Sequence, residues 1–255
     1  KGKVTFKAYW GGALGKAPEH ISMLKRGMVD FVLINRWYTP GKLPLGAFEY
    51  VFPFGPSDPV ITALAKRQIY EEFPDFRKNL AKYDGELIFS GPGAPYDFLS
   101  KTPIESLDDF KGKKVGLIGR YFGRWVKACG AVPVVATGFQ RYTLLQTDVI
   151  DVDFLPLNMF YTLKIAEQAP YYIEVGATVA CFYALIGNLK TLDKLPAEVH
   201  EYMLTIGREM EMVLAKKMVP EWVKLTHEAW KKQGVKFLKI SEEDRVKWAN
   251  LVEDI

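Results

Sequence analysis

The stretch nearest to a catalytic motif is Lys113-Lys114-Val115-Gly116-Leu117-Ile118-Gly119, an extended run that ends in glycines before a helical segment. A dinucleotide-binding turn needs G-x-G-x-x-G, because the second glycine lets the backbone approach a pyrophosphate. Ile118 stands at that second position, Arg120 and Tyr121 crowd the turn, and the next apolar run, Val132 to Val135, ends without an acid to hold a ribose hydroxyl. A nucleotide-dependent α/β enzyme built on the turn from Gly116 to Gly123 is therefore kept only as the rival reading. There is no G-x-S-x-G and no P-loop lysine motif, so acyl and phosphoryl transfer have no visible machinery. His20, His200 and His227 are isolated, which argues against a metal centre. The acid groups Asp108-Asp109 and Glu242-Glu243-Asp244 stand where helices or strands begin and read as caps and solvated faces.

What the chain does offer is aromatic side chains in loops. Trp10 ends an extended run, Trp37 and Tyr38 follow another, Tyr96 comes after the breaker cluster Gly91-Pro92-Gly93-Ala94-Pro95, and Tyr121 opens a helix. Aromatic groups at the carboxyl ends of strands in an α/β sheet lie where such folds place ligands. Together they suggest a site that holds a flat or apolar small molecule by stacking and burial, although packing accounts for any one of them.

The elements that would position these residues alternate. Lys3 to Tyr9 has the period of a strand, Glu19 to Gly27 that of a short amphipathic helix, and Phe31 to Ile34 is an apolar strand. A helix is expected from Pro59 to Phe73. Extended pieces follow at Leu87 to Ser90 and Tyr96 to Ser100, which suit a chain crossing between lobes. A second alternating set runs through strands at Lys113 to Ile118, Val132 to Val135 and Val149 to Leu155, with helices between and after them. The last third is helical. Val199, Met203, Ile206, Met210 and Val213 recur at helical spacing, Trp222, Leu225 and Trp230 mark the next helix, and Ser241-Glu242-Glu243-Asp244 caps the last. The Met and Trp stripes are expected in the core, and helices following two α/β halves are placed to brace them.

Length and composition agree with this. The 255 residues can form one large or two medium α/β domains, and a chain 49% apolar and 25% charged folds around a real core. A net charge of +4, from 34 basic and 30 acidic residues spread without a basic run, does not argue for nucleic acid. No apolar run approaches the roughly 18 residues that span a bilayer. The opening Lys1-Gly2-Lys3-Val4 lacks a signal-peptide core, which fits a mature exported chain or a cytosolic one. Cys129 and Cys181 are too few to report a redox compartment, and a disulfide between them has no support in the sequence.

Five segments in order carry a family resemblance: KVTFKAYWGGALG, GMVDFVLINRWYTPGKLP with FPF after it, SKTPIESLDDFKGKKVG, ACGAVPV and QRYTLLQTDVIDVDFLP. The sequence resembles the DctP-type substrate-binding proteins of tripartite ATP-independent periplasmic (TRAP) transporters from Gly2 to about Val252, most specifically over Lys101 to Pro156. The resemblance implies an α/β, two-lobed periplasmic binding fold of the type II kind, with extended crossovers and long C-terminal bracing helices. It implies a small organic acid closed between the lobes, a periplasmic location, a membrane-embedded permease as partner, no cofactor and no catalysis; a monomer is expected. The lobes are expected at 1–90, 91–155 and 156–255, the last span completing both, with hinge crossovers near Phe89 to Ser100 and Asp153 to Pro156. The family pattern begins with a further strand and helix before Lys3, so some ligand contacts are expected outside this sequence. A sensory domain on the same fold is a third reading.

Two departures from the family pattern bear on the ligand. Where the family has K-I-R, this chain has Lys114-Val115-Gly116, so the arginine that clamps a ligand carboxylate is missing. Where the family has D-G-x-E-N-P, this chain has Asp151-Val152-Asp153-Phe154-Leu155-Pro156, with Leu155 at a polar contact. Glycine cannot replace a bidentate guanidinium. Arg120 or Arg36 is expected to supply the charge from a new direction, or aromatic contact to carry the binding. The expected ligand is an aromatic or indole-like acid or amino acid, with Trp10, Trp37, Tyr38 and Phe154 forming the slot and Arg120 meeting the acid group. Phe89, Tyr96 and Asn158 complete the expected set.

Overall fold

The computed structural model describes residues 4–51, 54–178 and 183–252, and of Trp37, Ala47 and Arg120 the backbone alone. In chain order the elements are α1 (His20–Lys25), β1 (Phe31–Asn35), α2 (Pro59–Glu72), α3 (Pro74–Ala81), β2 (Gly85–Gly91), β3 (Tyr96–Ser100), β4 (Lys114–Leu117), α4 (Arg120–Ala128), β5 (Val132–Val135), α5 (Arg141–Gln146), β6 (Val152–Pro156), α6 (Leu157–Thr162), β7 (Tyr171–Glu174), β8 (Tyr183–Asn188), α7 (Leu189–Leu192), α8 (Ala197–Val213), a π-helical turn (Leu214–Met218), α9 (Val219–Gln233), β9 (Lys236–Lys239) and α10 (Glu242–Leu251). Local chemistry sets several of these boundaries. Asp58 accepts hydrogen bonds from the N–H groups of Val60 (2.7 Å) and Ile61 (2.9 Å) while Pro59 opens α2. Ser241 Oγ accepts from the Asp244 N–H (3.0 Å) to start α10, and Gly234, at φ 81°, closes α9 in the left-handed conformation that glycine adopts without strain.

Among the described residues the strands form two sheets, one per lobe: an antiparallel three-stranded sheet in the order β1-β8-β2, and a mixed six-stranded sheet in the order β5-β4-β6-β3-β7-β9. The chain passes from the first sheet to the second between β2 and β3, and returns between β7 and β8. The second crossover therefore lies after Glu174, not at Asp153 to Pro156 as the sequence suggested. β6 is an interior strand, parallel to β4 and antiparallel to β3, with every residue buried. Residues 4–9 form no strand, although their alternation has the right period. A strand is made by its partner, and here no described segment pairs with them.

Each lobe has its own core. Ile21, Leu24, Val32, Ile34, Leu87 and Ile186 fill the first. Phe98, Phe110, Phe122, Trp125, Phe154 and Trp248 dominate the second, where Trp248 Nε1 donates to the Trp125 carbonyl at 2.7 Å. The helical run from Ala197 to Gln233 touches both. Its buried line is Gly207, Glu211, Ala215 and Val219, not the expected Met203-Ile206-Met210 face; Ile206 is 38% exposed and Met210 41%. The reason is distance: Gly207 lies against the backbone of Ile88 in β2, so a side chain there has no room. Further along, Trp230 of α9 packs against Phe160 and Tyr172 of the second lobe. Glu211 fastens the helix where β2 ends, accepting from the Ser90 N–H (2.6 Å) and from Arg67 Nε (3.1 Å) and Nη2 (2.5 Å).

Asp97 of β3 is fully buried beside the return crossover. It accepts from Tyr172 Oη (2.6 Å) and from the N–H groups of Val175 (2.8 Å) and Gly176 (3.1 Å), yet burial outweighs these bonds and lifts its carboxyl to about 7. A carboxyl raised on folding binds its proton more tightly in the native state. Its contribution to stability is complete below the unfolded value near 4 and is lost as pH rises toward 7. Thermal melts from pH 4 to 8 are expected to fall less steeply in Asp97→Asn than in the parent; parallel curves would contradict this.

Candidate functional site

The open cavity between the lobes has a volume of about 290 Å³ and is lined by Tyr38, Ile118, Val135, Ala136, Thr137 and Gln140. Tyr38 comes from the first lobe, in the turn after β1. The others stand at the carboxyl ends of the parallel strands β4 and β5 and in the turns that follow, the end of an open α/β sheet at which ligands bind. Thr137 and Gln140 are held by each other: the Gln140 Oε1 atom accepts from the Thr137 N–H (3.0 Å) and hydroxyl (2.9 Å). A second cavity, about 30 Å³ inside the first lobe beside Arg36 and Lys66, has room for ordered water and not for a ligand.

Among the described residues no charged side chain lines the open cavity, but one lies beneath it. Arg141, at the start of α5, is completely buried. Its Nε donates to the carbonyls of Ala136 and Thr137 (3.2 Å each), Nη2 to Ala136 (2.8 Å), and Nη1 to Asp153 Oδ1 of β6 (2.5 Å). Asp153 is equally buried, and its Oδ2 has no hydrogen-bond partner among the described residues. Burial lifts the Asp153 carboxyl to about 6 against the pull of Arg141, and burial also lowers the guanidinium from its ordinary value. Gly116 makes the arrangement possible. A Cβ there would run into Arg141 Nη1 and come within 2.6 Å of Ile150 Cδ1 and 2.9 Å of Asp153 Oδ1. The bare backbone at Gly116 thus faces an arginine side chain and not a cofactor phosphate, which removes the structural basis of a dinucleotide turn.

The residues singled out in the sequence separate. Tyr38 lines the cavity. Tyr96 and Phe154, expected in or beside the aromatic slot, pack in the second core instead: each is 2% exposed, their ring centroids are 5.2 Å apart, and Phe122 lies 5.1 and 4.8 Å from them. Arg36, expected as a source of ligand charge, is buried in the first lobe and spends its guanidinium on Ser90 Oγ (2.7 Å) and Glu49 (3.5 Å), the latter shared with Lys66. Trp10 is 78% exposed and does not line the cavity. Phe89 is half-buried at the end of β2. Asn158, in the first turn of α6, holds a buried Oδ1 without a partner among the described residues. The side chains of Trp37 and Arg120 lie outside the described residues, as does Cys181. Cys129 is buried as a thiol, pushed up to about 12 by burial. Sequence reasoning missed Arg141, and the signal for it was present: an arginine in QRYTLLQT and an aspartate in DVDFLP, each inside an otherwise core-like run.

A family model for bacterial extracellular solute-binding protein, family 7 (DctP), matches residues 1–255. The chain belongs to this family. DctP-family proteins are solute-binding components of transport, not enzymes, so the nucleotide-dependent alternative falls on this ground too. A solute-binding protein of Albidiferax ferrireducens is 22% identical over 257 residues, covering 98% of this chain and 74% of that protein. The chain spans between 47% and 74% of the length of four curated relatives that it matches. Among solved structures, a TRAP periplasmic solute-binding protein from Desulfovibrio salexigens in an open complex superposes with a TM-score of 0.84 at 24% identity, covering 98% of this chain and 76% of that one. Another from the same organism, with bound orotic acid, superposes at 0.80 with 20% identity, covering 98% and 80%. These likenesses agree with the two-lobed DctP fold described above. Among the described residues no helix is long and apolar enough to cross a membrane.

Proposed function

We propose that this chain is the ligand-capturing receptor of a TRAP-type uptake system, working in the periplasm as a monomer and delivering a small organic acid with an aromatic or indole-like body to a membrane-embedded permease. The observation that carries this reading is the cavity between the lobes. It joins one aromatic ring, Tyr38, to an apolar wall of Ile118, Val135 and Ala136, with Thr137 and Gln140 as polar contacts and a buried guanidinium under the floor. Small-molecule sites combine an apolar lining with a few placed polar groups in this way, and a volume near the lower end of their range suits a compact ligand. The orotic acid bound to the Desulfovibrio salexigens neighbour is a flat acid of this kind. Arg120 and Trp37 stay within the proposal as further contacts, and closure turns on the passages β2–β3 and β7–β8 together with the helical run that leads from β8 back to β9.

Native mass spectrometry of protein purified without refolding, followed by thermal-shift titration with indole-3-acetate, phenylacetate, malate and NAD, tests the reading. Organic acids are expected to raise the melting midpoint, the aromatic ones most, because a ligand that binds only the folded state stabilises it. Tyr38→Ala is expected to weaken an aromatic acid by about tenfold, the size of a lost ring contact. A shift with NAD and none with any acid would overturn the assignment. Equal affinity for malate and the aromatic acids would overturn its aromatic part.

A further inference from the structure

A guanidinium carries five N–H donors, and Arg141 uses three of them: Nε on Ala136 and Thr137, one of Nη2 on Ala136, one of Nη1 on Asp153. Among the described residues two donors are unspent, and beside them Asp153 Oδ2 is an acceptor without a donor. The pair is not remote from the cavity. The carbonyls that hold the guanidinium belong to Ala136 and Thr137, both of which line it, and Ile118, another lining residue, stands two positions beyond Gly116, whose missing side chain gives the pair its space. A buried polar group without a partner is rare in a folded protein and calls for a specific occupant. Here the open valences are of both kinds, side by side.

We infer that the Arg141–Asp153 pair is the polar anchor of the cavity and that the ligand is a zwitterion, its carboxylate taken by Arg141 and its ammonium by Asp153. The inference rests on the reading that the cavity holds an organic acid, and it selects among acids. In the empty protein the two side chains neutralise each other. A plain carboxylate arriving at Arg141 competes with Asp153 and leaves that carboxylate buried and unpaired, an unfavourable exchange. An α-amino acid brings an opposite charge for each partner, so one ion pair becomes two and neither buried charge is stranded.

The test is isothermal titration of the intact chain with matched pairs that differ only in the amino group: phenylalanine against 3-phenylpropionate, tryptophan against indole-3-propionate, glutamate against glutarate. In at least one pair the amino acid is expected to bind about tenfold tighter or better than its desamino partner, and Asp153→Asn is expected to erase that preference while binding of the desamino acid is kept or improved. Desamino acids that bind as tightly as the amino acids in the parent chain, or a preference that persists in Asp153→Asn, would overturn the inference; should that variant fold poorly, the comparison in the parent chain decides alone. If no member of any pair binds, it is the organic-acid reading itself that fails.

Discussion

Arg141→Met is expected to destabilise the fold by about 3–5 kcal/mol, and adding Asp153→Leu is expected to recover most of that loss. The two side chains are wholly buried and 2.5 Å apart, so among the described residues each is the other's counter-charge at close range. Removing the guanidinium leaves a carboxylate inside a sheet with Ile150 beside it at Gly116 and one oxygen already without a donor among the described residues. Removing both charges returns the site to an apolar one, in which the methionine and leucine fill similar volume. The single variant also carries a pH signature. Burial already holds the Asp153 carboxyl near 6 with the arginine in place. Without it the folded value rises further above the unfolded one, so the variant is most stable at acid pH and loses stability as pH climbs through the neutral range. Chemical denaturation at pH 5 and pH 8 measures both effects. A single variant within about 1 kcal/mol of the parent at pH 8, or a double variant no better than the single, would show that the pair does not carry this energy.

That pair also marks the limit of what could be read from the sequence. Elements whose boundaries are local were legible: the start of α2 at Pro59, β4 and β5 as short apolar runs, and α10 from Ser241. The two-lobed class followed from the order of family segments. What depended on distant partners was not legible. A charged residue on a short helix reads as a solvated one until a β-strand twelve residues later supplies an aspartate, and Arg36 looked available for a ligand until Ser90 and Glu49 were seen to hold it. Tyr96 read as a loop aromatic and Phe154 as part of the slot, whereas strand pairing turns both rings inward onto Phe122. The alternation of residues 3–9 looked like a strand, but alternation describes two faces and cannot provide the neighbour that makes one.

Gly207→Ala gives the second large effect, and its sign is the informative part. In an ordinary helix interior alanine is better than glycine by about 0.5–1 kcal/mol, because glycine loses more backbone freedom on folding. At this position α8 lies directly on β2, and an added methyl would collide with the Ile88 carbonyl oxygen, with the carbonyl carbon 2.8 Å and Ile88 Cγ2 3.3 Å away. Two of those atoms are backbone and cannot rotate aside, so the helix must lift. Lifting it draws Glu211, one turn on, away from the Ser90 N–H and from Arg67, and strands a buried carboxylate that burial already pushes upward. Overpacking of this kind costs about 1–3 kcal/mol or more, enough to reverse the usual glycine-to-alanine gain. The melting midpoint of Gly207→Ala is therefore expected to fall by several degrees, at about 2–4 °C per kcal/mol for a chain of this size, while Ile206→Ala on the exposed side of the same turn shifts it little. Because Gly207 holds the helix to the first lobe and Trp230 holds its continuation to the second, the same variant is expected to weaken ligand-driven closure, read as a smaller ligand-induced rise in midpoint than in Ile206→Ala. A Gly207→Ala protein as stable as its parent would mean that α8 does not bear on β2 so closely, and that something other than this contact fixes the helix across the two lobes.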